Sequence, residues 1–455
     1  MLSHSKQSLA GWGGTPRVEC AVFRPESTHT LTTILADGDQ PHYIPRGLGR
    51  SYGDAAVNPG GGVILGERLN HMLAFDESRG VLDCEAGVSL AEIIDVFLPR
   101  GWFLPVTPGT KFVTVGGAIA NDVHGKNHHR DGTFGEHVEA FTLLTSNGEV
   151  LKCTPDHNSD AFWATIGGIG LTGIILAASI RLQRVSSAYI NVDYRRCAGI
   201  EALLDAIRET DNTYQYSVAW VDCLSKGKAL GRGVLMSGDH VEASKVPASK
   251  GGPYDVRPRF SPNVPVEFPS FVLNPFSIGA FNAVFYAKHA SKSGVIVDYD
   301  RYFYPLDSIH NWSRIYGKQG FAQYQATFPH AGLDGLVKLL EKLSQSGRAS
   351  FLAVLKRMGP PSKGHLSHPI DGWTLTLDIP MRGDLISFLH ACDELVLAHG
   401  GRLYTAKDVC TRPEIFAAMY PRLSEFKAIQ QRLDPQRKLS SRLARRCGIV
   451  EGPIE

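Results

Sequence analysis

Residues 116–129, GGAIANDVHGKNHH, bring two glycines, an Asn-Asp pair, a lysine and three imidazoles into one short stretch. Imidazole suggests either metal ligation or proton transfer near neutral pH. A metal site needs three or four ligands converging from a defined scaffold, and no carboxylate stands at the H-E-x-x-H spacing beside His124, His128, His129 or His137. A solvated histidine loop is the better reading, and no metal is expected. The bare backbone at Gly116-Gly117 suits either a tight turn or the close approach of a bulky planar or phosphorylated ligand. A second such stretch lies at residues 45–56, PRGLGRSYGDAA, after the strand-like PHYI. Glycines at 47, 49 and 53 free successive amides to point at one anion, Ser51 adds a hydroxyl, and Arg46 and Arg50 add charge. Together with PVTPGTKFVTVGGAIANDVHG, about sixty residues on, it makes a site long enough for a dinucleotide.

A third glycine cluster is a decoy. Gly168-Ile169-Gly170-Leu171-Thr172-Gly173 matches G-x-G-x-x-G, with Asp193 further on. The nicotinamide fingerprint requires a strand before the glycines and a helix after them. Here helical DAFWATI precedes and strand-like IILAASIRL follows, so nicotinamide binding is not expected.

The elements that must position these residues fall into two regions. The first 185 residues alternate short apolar runs (GGVILGERLN, GVLDCEAGVSL, FTLLTSNGEVLKCT, TGIILAASIRLQRV) with helical SLAEIIDVFLPRG and SDAFWATIGG, each expected to be capped by Ser or Asp. From about 190 to 400, helices are expected at IEALLDAIRET, GLVKLLEKLSQSG and LISFLHACDELVLAHGG. Strands are expected at YSVAWVDCL, GFAQYQATFP, SFLAVLKRMG and WTLTLDIPM, which suggests an antiparallel sheet of three or four strands covered on one face. Gln323 and Gln325, two apart on a strand, share one face and read as a polar pocket wall. Residues 245–270 are too rich in proline for regular structure. The phenylalanine-rich stretch after them reads as a buried helix, with a lid or membrane-facing flap as the alternative.

At 455 residues, two domains are expected. A formal charge of +2 without a dense basic stretch argues against nucleic acid. Eight scattered cysteines with no C-x-x-C fit reduced thiols in a cytosolic protein, the N-terminus lacks a secretory apolar core, and no apolar run reaches membrane-spanning length.

RGLGRSYGD, TPGTKFVTVGGAIANDVHGKNHH, FWATIGGIGLTGII and GGRLYTAKD resemble the FAD-dependent oxidoreductases of the vanillyl-alcohol oxidase superfamily, and the likeness extends over nearly the whole chain. It implies an α+β, two-domain vanillyl-alcohol-oxidase-type flavoprotein. The FAD-binding α+β domain (1–188) would be completed by a C-terminal segment (402–455), with a substrate domain (189–401) whose antiparallel sheet is covered by helices.

The resemblance places FAD on Arg46, Gly47, Leu48, Gly49, Arg50, Ser51, Tyr52, Gly53, Asp54 and Ala55, and on Gly109, Thr114, Val115, Gly116 and Gly117. Asn121, Asp122, Val123, His124 and Tyr404 would complete the cofactor site. The substrate would meet Tyr52, His124, Lys126, Gln323, Gln325, Lys356 and Lys407, with Thr374 and Thr376 where some relatives carry Asn and Cys. Members with covalent flavin often have His at the Arg50 position, so non-covalent FAD is expected.

The chemistry implied is hydride transfer from C2′ of a polyprenylphosphoryl ribose to the flavin, completed by a separate NAD(P)H-dependent 2-keto reductase. Peripheral contact with the inner membrane, on either face, goes with such a lipid. His124 or a desolvated Lys407 could be the base; Lys407 could equally stay charged and hold the substrate. A soluble alditol or aldonolactone is the alternative substrate, and a non-enzymatic flavoprotein the alternative class.

Overall fold

The computed structural model describes residues 4–257, 259–269, 271–348 and 350–454. Pro258 and Ser270 of the proline-rich segment lie outside the described residues, as do the outermost residues of the expected terminal segments, 1–3 and 455.

Three sheets carry the site. In the first, Tyr43–Arg46 runs parallel to Gly62–Leu65, with Ile44 opposite Val63. Tyr43 and Ile44 are buried, and the strand stops at Arg46, so the glycine-arginine loop is delivered at its C-terminal end. The second sheet has five antiparallel strands in the order Met72–Asp76, Val81–Glu85, Ile174–Arg181, Val138–Leu144, Val150–Cys153. Helix Leu90–Phe97 packs Ile93, Ile94 and Phe97 into the core of this sheet, and Ser89 and Glu92 close a reciprocal capping box at its start. Helix Ser159–Thr165 is preceded instead by Asn158 in the left-handed conformation (φ 51°), which Asn tolerates better than most residues; neither Ser159 nor Asp160 is the cap. This helix enters the glycines at 168–173 and strand Ile174–Arg181 leaves them, the order that excludes a nicotinamide fingerprint.

The third sheet has eight antiparallel strands, not three or four: Lys292–Asp298, Tyr189–Cys197, Gly233–His240, Tyr216–Val221, Ala353–Met358, Gly372–Pro380, Phe321–Pro329 and Arg402–Leu403. Tyr189–Cys197 and Gly233–His240 interleave Asp, Arg and Gly among their apolar residues, which hides their strand pattern in the sequence. One face of the sheet is covered by helices Ile200–Thr210, Leu333–Ser346 and Leu385–Ala398, whose Leu203, Leu339, Leu340 and Val396 share a core with Phe328, Leu355 and Leu377.

Register sets the opposite face. Gln325 pairs with Thr376, Gln323 with Asp378, Thr374 with Lys356, and Val354 with Trp220. Directly opposed residues share a face, so this face is polar at one end. It turns apolar toward Val354, Trp220, Val218, Met236 and Tyr194.

The C-terminal segment is fastened to the loop at 46–55 by buried charge. Asp54 is fully buried and pairs with Arg446 and Arg442 at 2.7 Å each, while Arg446 also reaches Asp408 at 2.9 Å. Removing one partner of a buried pair strands the other charge, so Asp54→Ala is expected to cost about 3–5 kcal/mol. Denaturant unfolding of the FAD-bound protein measures it, and a loss below about 1 kcal/mol would contradict the assignment.

The phenylalanine-rich stretch forms helix Pro275–Lys288, but not the buried helix expected. Only Ile278 and Asn282 are fully enclosed, and Phe276, Phe281 and Val284 are exposed. A helix apolar around its whole circumference has no polar side to present to water.

Candidate active site

A cavity of about 1520 Å³ opens between the two glycine-rich loops and the uncovered face of the large sheet. That exceeds the roughly 300–1,000 Å³ of single small-molecule sites, so it has room for a dinucleotide and a second ligand.

The two loops meet where backbone replaces side chain. A Cβ on Gly47 would lie 2.2 Å from Thr114 Oγ1, so only glycine lets the 46–55 loop touch the segment at 114–117. Thr114 caps the short helix Val115–Ala120 by accepting from Gly117 N at 3.1 Å. Gly66 and Gly109 line the cavity, and a Cβ on either meets no atom of the described residues within 4 Å, leaving bare backbone open to a bound ring or phosphate. The C-terminal segment closes the far side: Tyr52 N donates to Ala406 O at 2.8 Å, and the Tyr404 hydroxyl donates to Asn121 O at 2.7 Å. Arg50 lies over the Trp12 ring at 4.2 Å.

His124 and His128 are buried and His129 and His137 are half-buried, which corrects the solvated-loop reading. His128 Nδ1 accepts from Gly359 N at 2.9 Å, and His137 Nε2 donates to Asp131 O at 2.8 Å. Among the described residues no three His, Cys, Asp or Glu side chains converge as metal ligands. His124 lines the cavity, and its protonation follows from its neighbours. Thr374 spends its hydroxyl proton on Ala326 O at 3.1 Å, so the Gln325 side-chain nitrogen must face Thr374 Oγ1, 3.2 Å away. The same NH2 donates to His124 Nε2 at 2.9 Å. The His124 proton therefore sits on Nδ1, which is buried and finds no partner among the described residues. Burial and the nearby charges of Lys356, His368, His128 and Lys407 hold His124 well below the ordinary histidine range, so it is neutral. Thr376 Oγ1, on the same wall, is likewise buried without a partner among the described residues.

Lys407 stands opposite. Its Nζ lies 3.8 Å from the Tyr52 ring centroid. Burial pulls its ammonium down to about 7, with Asp378 opposing and Lys356 assisting. Burial holds Tyr52 far above its usual range, so its phenol stays protonated. Asp378, which the sequence reading missed, accepts from Gln323 Nε2 at 2.6 Å and from the Tyr316 hydroxyl at 3.2 Å; burial pushes it up to about 7. A lone Asp on an apolar strand gives no signal until register places it beside Gln323. Burial also lowers Lys356 to about 8 and Lys126 to about 7. Lys126 donates to Tyr302 O and lies over the Tyr302 ring at 4.2 Å.

The cavity wall includes Arg46 to Tyr52, Ala55, Gly109, Thr114, Gly116, Gly117, Asn121, Val123, His124, Lys126, Gln323, Gln325, Lys356, Thr376, Tyr404 and Lys407. Five expected residues do not reach it. Gly53 packs on the Asp408 carbonyl, Asp54 is spent on the arginines, and Val115 is core. Asp122 accepts from Gly135 N at 3.0 Å, and Thr374 serves Gln325. Arg46, though on the wall, spends its guanidinium on Ala56 O and Ala10 O at 3.0 and 2.8 Å; it braces the loop. Ile169, Gly170 and Gly173 of the decoy motif line the cavity too, as backbone wall.

Fold and site together define an FAD-binding oxidoreductase of the α+β vanillyl-alcohol-oxidase type. The FAD binding domain family matches residues 20–154. Over 448 residues, 97% of either chain, this protein is 39% identical to decaprenylphosphoryl-beta-D-ribose oxidase of Mycolicibacterium smegmatis. It is 35% identical over 374 residues, 80% of this chain and all of the relative, to an uncharacterised protein of Streptomyces coelicolor. Over 181 residues, 39% of this chain and 34% of the relative, it is 29% identical to the delta(24)-sterol reductase of Rattus norvegicus. The chain belongs to the decaprenylphosphoryl-β-D-ribose oxidase family.

Proposed function

We propose that this protein oxidises the C2′ hydroxyl of a polyprenylphosphoryl-β-D-ribose to the ketone. The observation that carries the reading is the cavity wall, which runs from Lys407, Tyr52 and the two glutamines to an apolar strip at Val354, Trp220 and Met236. A sugar phosphate would use the first part and a prenyl chain the second; a soluble alditol has no use for the strip. Bound FAD supplies the acceptor for the hydride leaving C2′. Arg50 offers no histidyl attachment, which supports a non-covalent cofactor. We assign the FAD lobe to 1–188 and 402–455 and the substrate lobe to 189–401, although strand Arg402–Leu403 joins the large sheet across that boundary.

Lys407 takes the hydroxyl proton in this reading, because an amine held near neutrality is free to accept it. His124 serves as a donor through Nδ1–H, since Gln325 already occupies Nε2. Tyr52 orients the sugar, Lys126 and Lys356 neutralise the phosphate, and Gln323, Gln325 and Thr376 bond the hydroxyls. A ketone product calls for an NAD(P)H-dependent reductase downstream. The lipid places the reaction at a bilayer surface, and no described helix is long and apolar enough to cross one.

Anaerobic mixing with polyprenylphosphoryl ribose is expected to bleach the visible flavin band within one turnover, while free alditols and aldonolactones leave it unchanged. Bleaching by the soluble sugars alone would transfer the protein to the other substrate class.

A further inference from the structure

We infer that the outer face of helix Pro275–Lys288, with Phe271 before it, docks on a lipid bilayer and that the lipid substrate enters the cavity beneath this helix. The inference rests on the lipid reading of the cavity. Of the twelve exposed large apolar side chains among the described residues, six lie between residues 260 and 284: Phe260, Val266, Phe271, Phe276, Phe281 and Val284. Phe271, Phe276 and Val284 are 75%, 86% and 64% exposed. No residue from 268 to 287 carries a charge.

The helix has two apolar faces with different duties. Ile278, Phe281, Phe285 and His289, at helical spacing, line the cavity. Phe285 packs against Trp220 with ring centroids 4.5 Å apart. A buried polar anchor holds the helix down: Asn282 donates to Asp222 at 2.8 Å, and Asp222 pairs with Arg232 at 2.8 Å. The outer positions Pro275, Phe276, Ala280, Ala283, Val284 and Ala287 are all exposed, and none has a side-chain polar atom. Phe281 is both partly exposed and part of the cavity wall, which marks the mouth.

These features favour a bilayer over a protein partner. A protein interface carries about one hydrogen bond per 100–200 Å² and a polar rim, which this face cannot supply. At 14 residues the helix is too short to span a membrane, but it suits burial in the headgroup boundary, with Lys288 at its end for anionic lipid. The cavity and the apolar face are continuous, so a prenyl chain passes between them without crossing water.

The test uses the FAD-bound protein and vesicles of equal parts phosphatidylglycerol and phosphatidylcholine, without substrate. The wild type is expected to co-sediment. Phe271→Ser/Phe276→Ser/Val284→Ser, which alters no cavity-lining residue, is expected to keep FAD and turnover on a water-soluble short-prenyl substrate and to lose vesicle partitioning by at least about tenfold. Phe276→Trp is expected to shift its emission to the blue on vesicle addition, over the wild-type background. A wild type that stays in the supernatant, a triple variant that sediments equally, an unshifted tryptophan, or self-association of the wild type abolished in the triple variant would each overturn the docking surface. Vesicle binding with no bleaching by the glycolipid would instead count against the catalytic reading and leave the surface standing.

Discussion

Lys407→Ala is expected to give a yellow, folded protein whose turnover of the glycolipid falls by about 10²–10⁴-fold, the usual contribution of a positioned proton acceptor. The expectation comes from the environment of the amine. Lys407 lines the cavity, lies against the Tyr52 ring, and has its ammonium pulled to about 7 by burial. The pH profile follows with a definite sign. Protonation removes the acceptor, so kcat/KM of the wild type falls about tenfold per pH unit below about 7, and it falls again on the alkaline side as Lys126 and Lys356, lowered to about 7 and about 8, lose the charge that holds the phosphate. The acidic limb should vanish from the residual activity of Lys407→Ala. Asp378 raises the lysine, so Asp378→Asn is expected to move the limb to lower pH while FAD content stays unchanged. A full-activity Lys407→Ala enzyme, or a variant that keeps the acidic limb, would remove Lys407 from proton transfer. A variant that loses FAD would mean the side chain serves the cofactor rather than the substrate.

Gly47→Val is expected to fold but to bind FAD at least about 10- to 100-fold more weakly, because the new side chain forces apart the two segments that form the cradle. Its Cβ would stand 2.2 Å from Thr114 Oγ1 and 3.0 Å from Thr114 Cγ2, a threonine fixed by its cap on Gly117. Gly109→Ala is the control, because its Cβ meets no atom of the described residues and faces the cavity, where it would crowd a bound ligand. Fluorescence titration with FAD reads both variants. Stoichiometric FAD in Gly47→Val at micromolar protein would show that contact between the segments does not create the site.

Much of the architecture could be read locally. The strand before the arginine loop, the capping box at Ser89 and Glu92, and the reversed order around residues 168–173 depend only on neighbours in the chain. The polar wall was half legible: alternation puts Gln323 and Gln325 on one face, but nothing local says that Asp378 and Thr376 stand opposite them. Three of the missed strands, Tyr189–Cys197, Gly233–His240 and Lys292–Asp298, are weakly apolar alone and are recruited by sheet partners on both sides or at the edge.

Residue chemistry along the chain is thus sufficient for the two bare-backbone loops and a site of dinucleotide length, because glycine spacing and strand periods are local properties; FAD in particular came from the resemblance to a known family. Three-dimensional packing was needed for the rest. Asp54 and Asp122 turn inward to satisfy buried partners hundreds of residues away or across a turn. His124 receives its tautomer from Gln325, and Lys407 its lowered basicity from burial. Whether helix Pro275–Lys288 is core or surface was likewise undecidable from its composition. Desolvation, pairing and exposure are relations between distant segments, and a single stretch of sequence does not contain them.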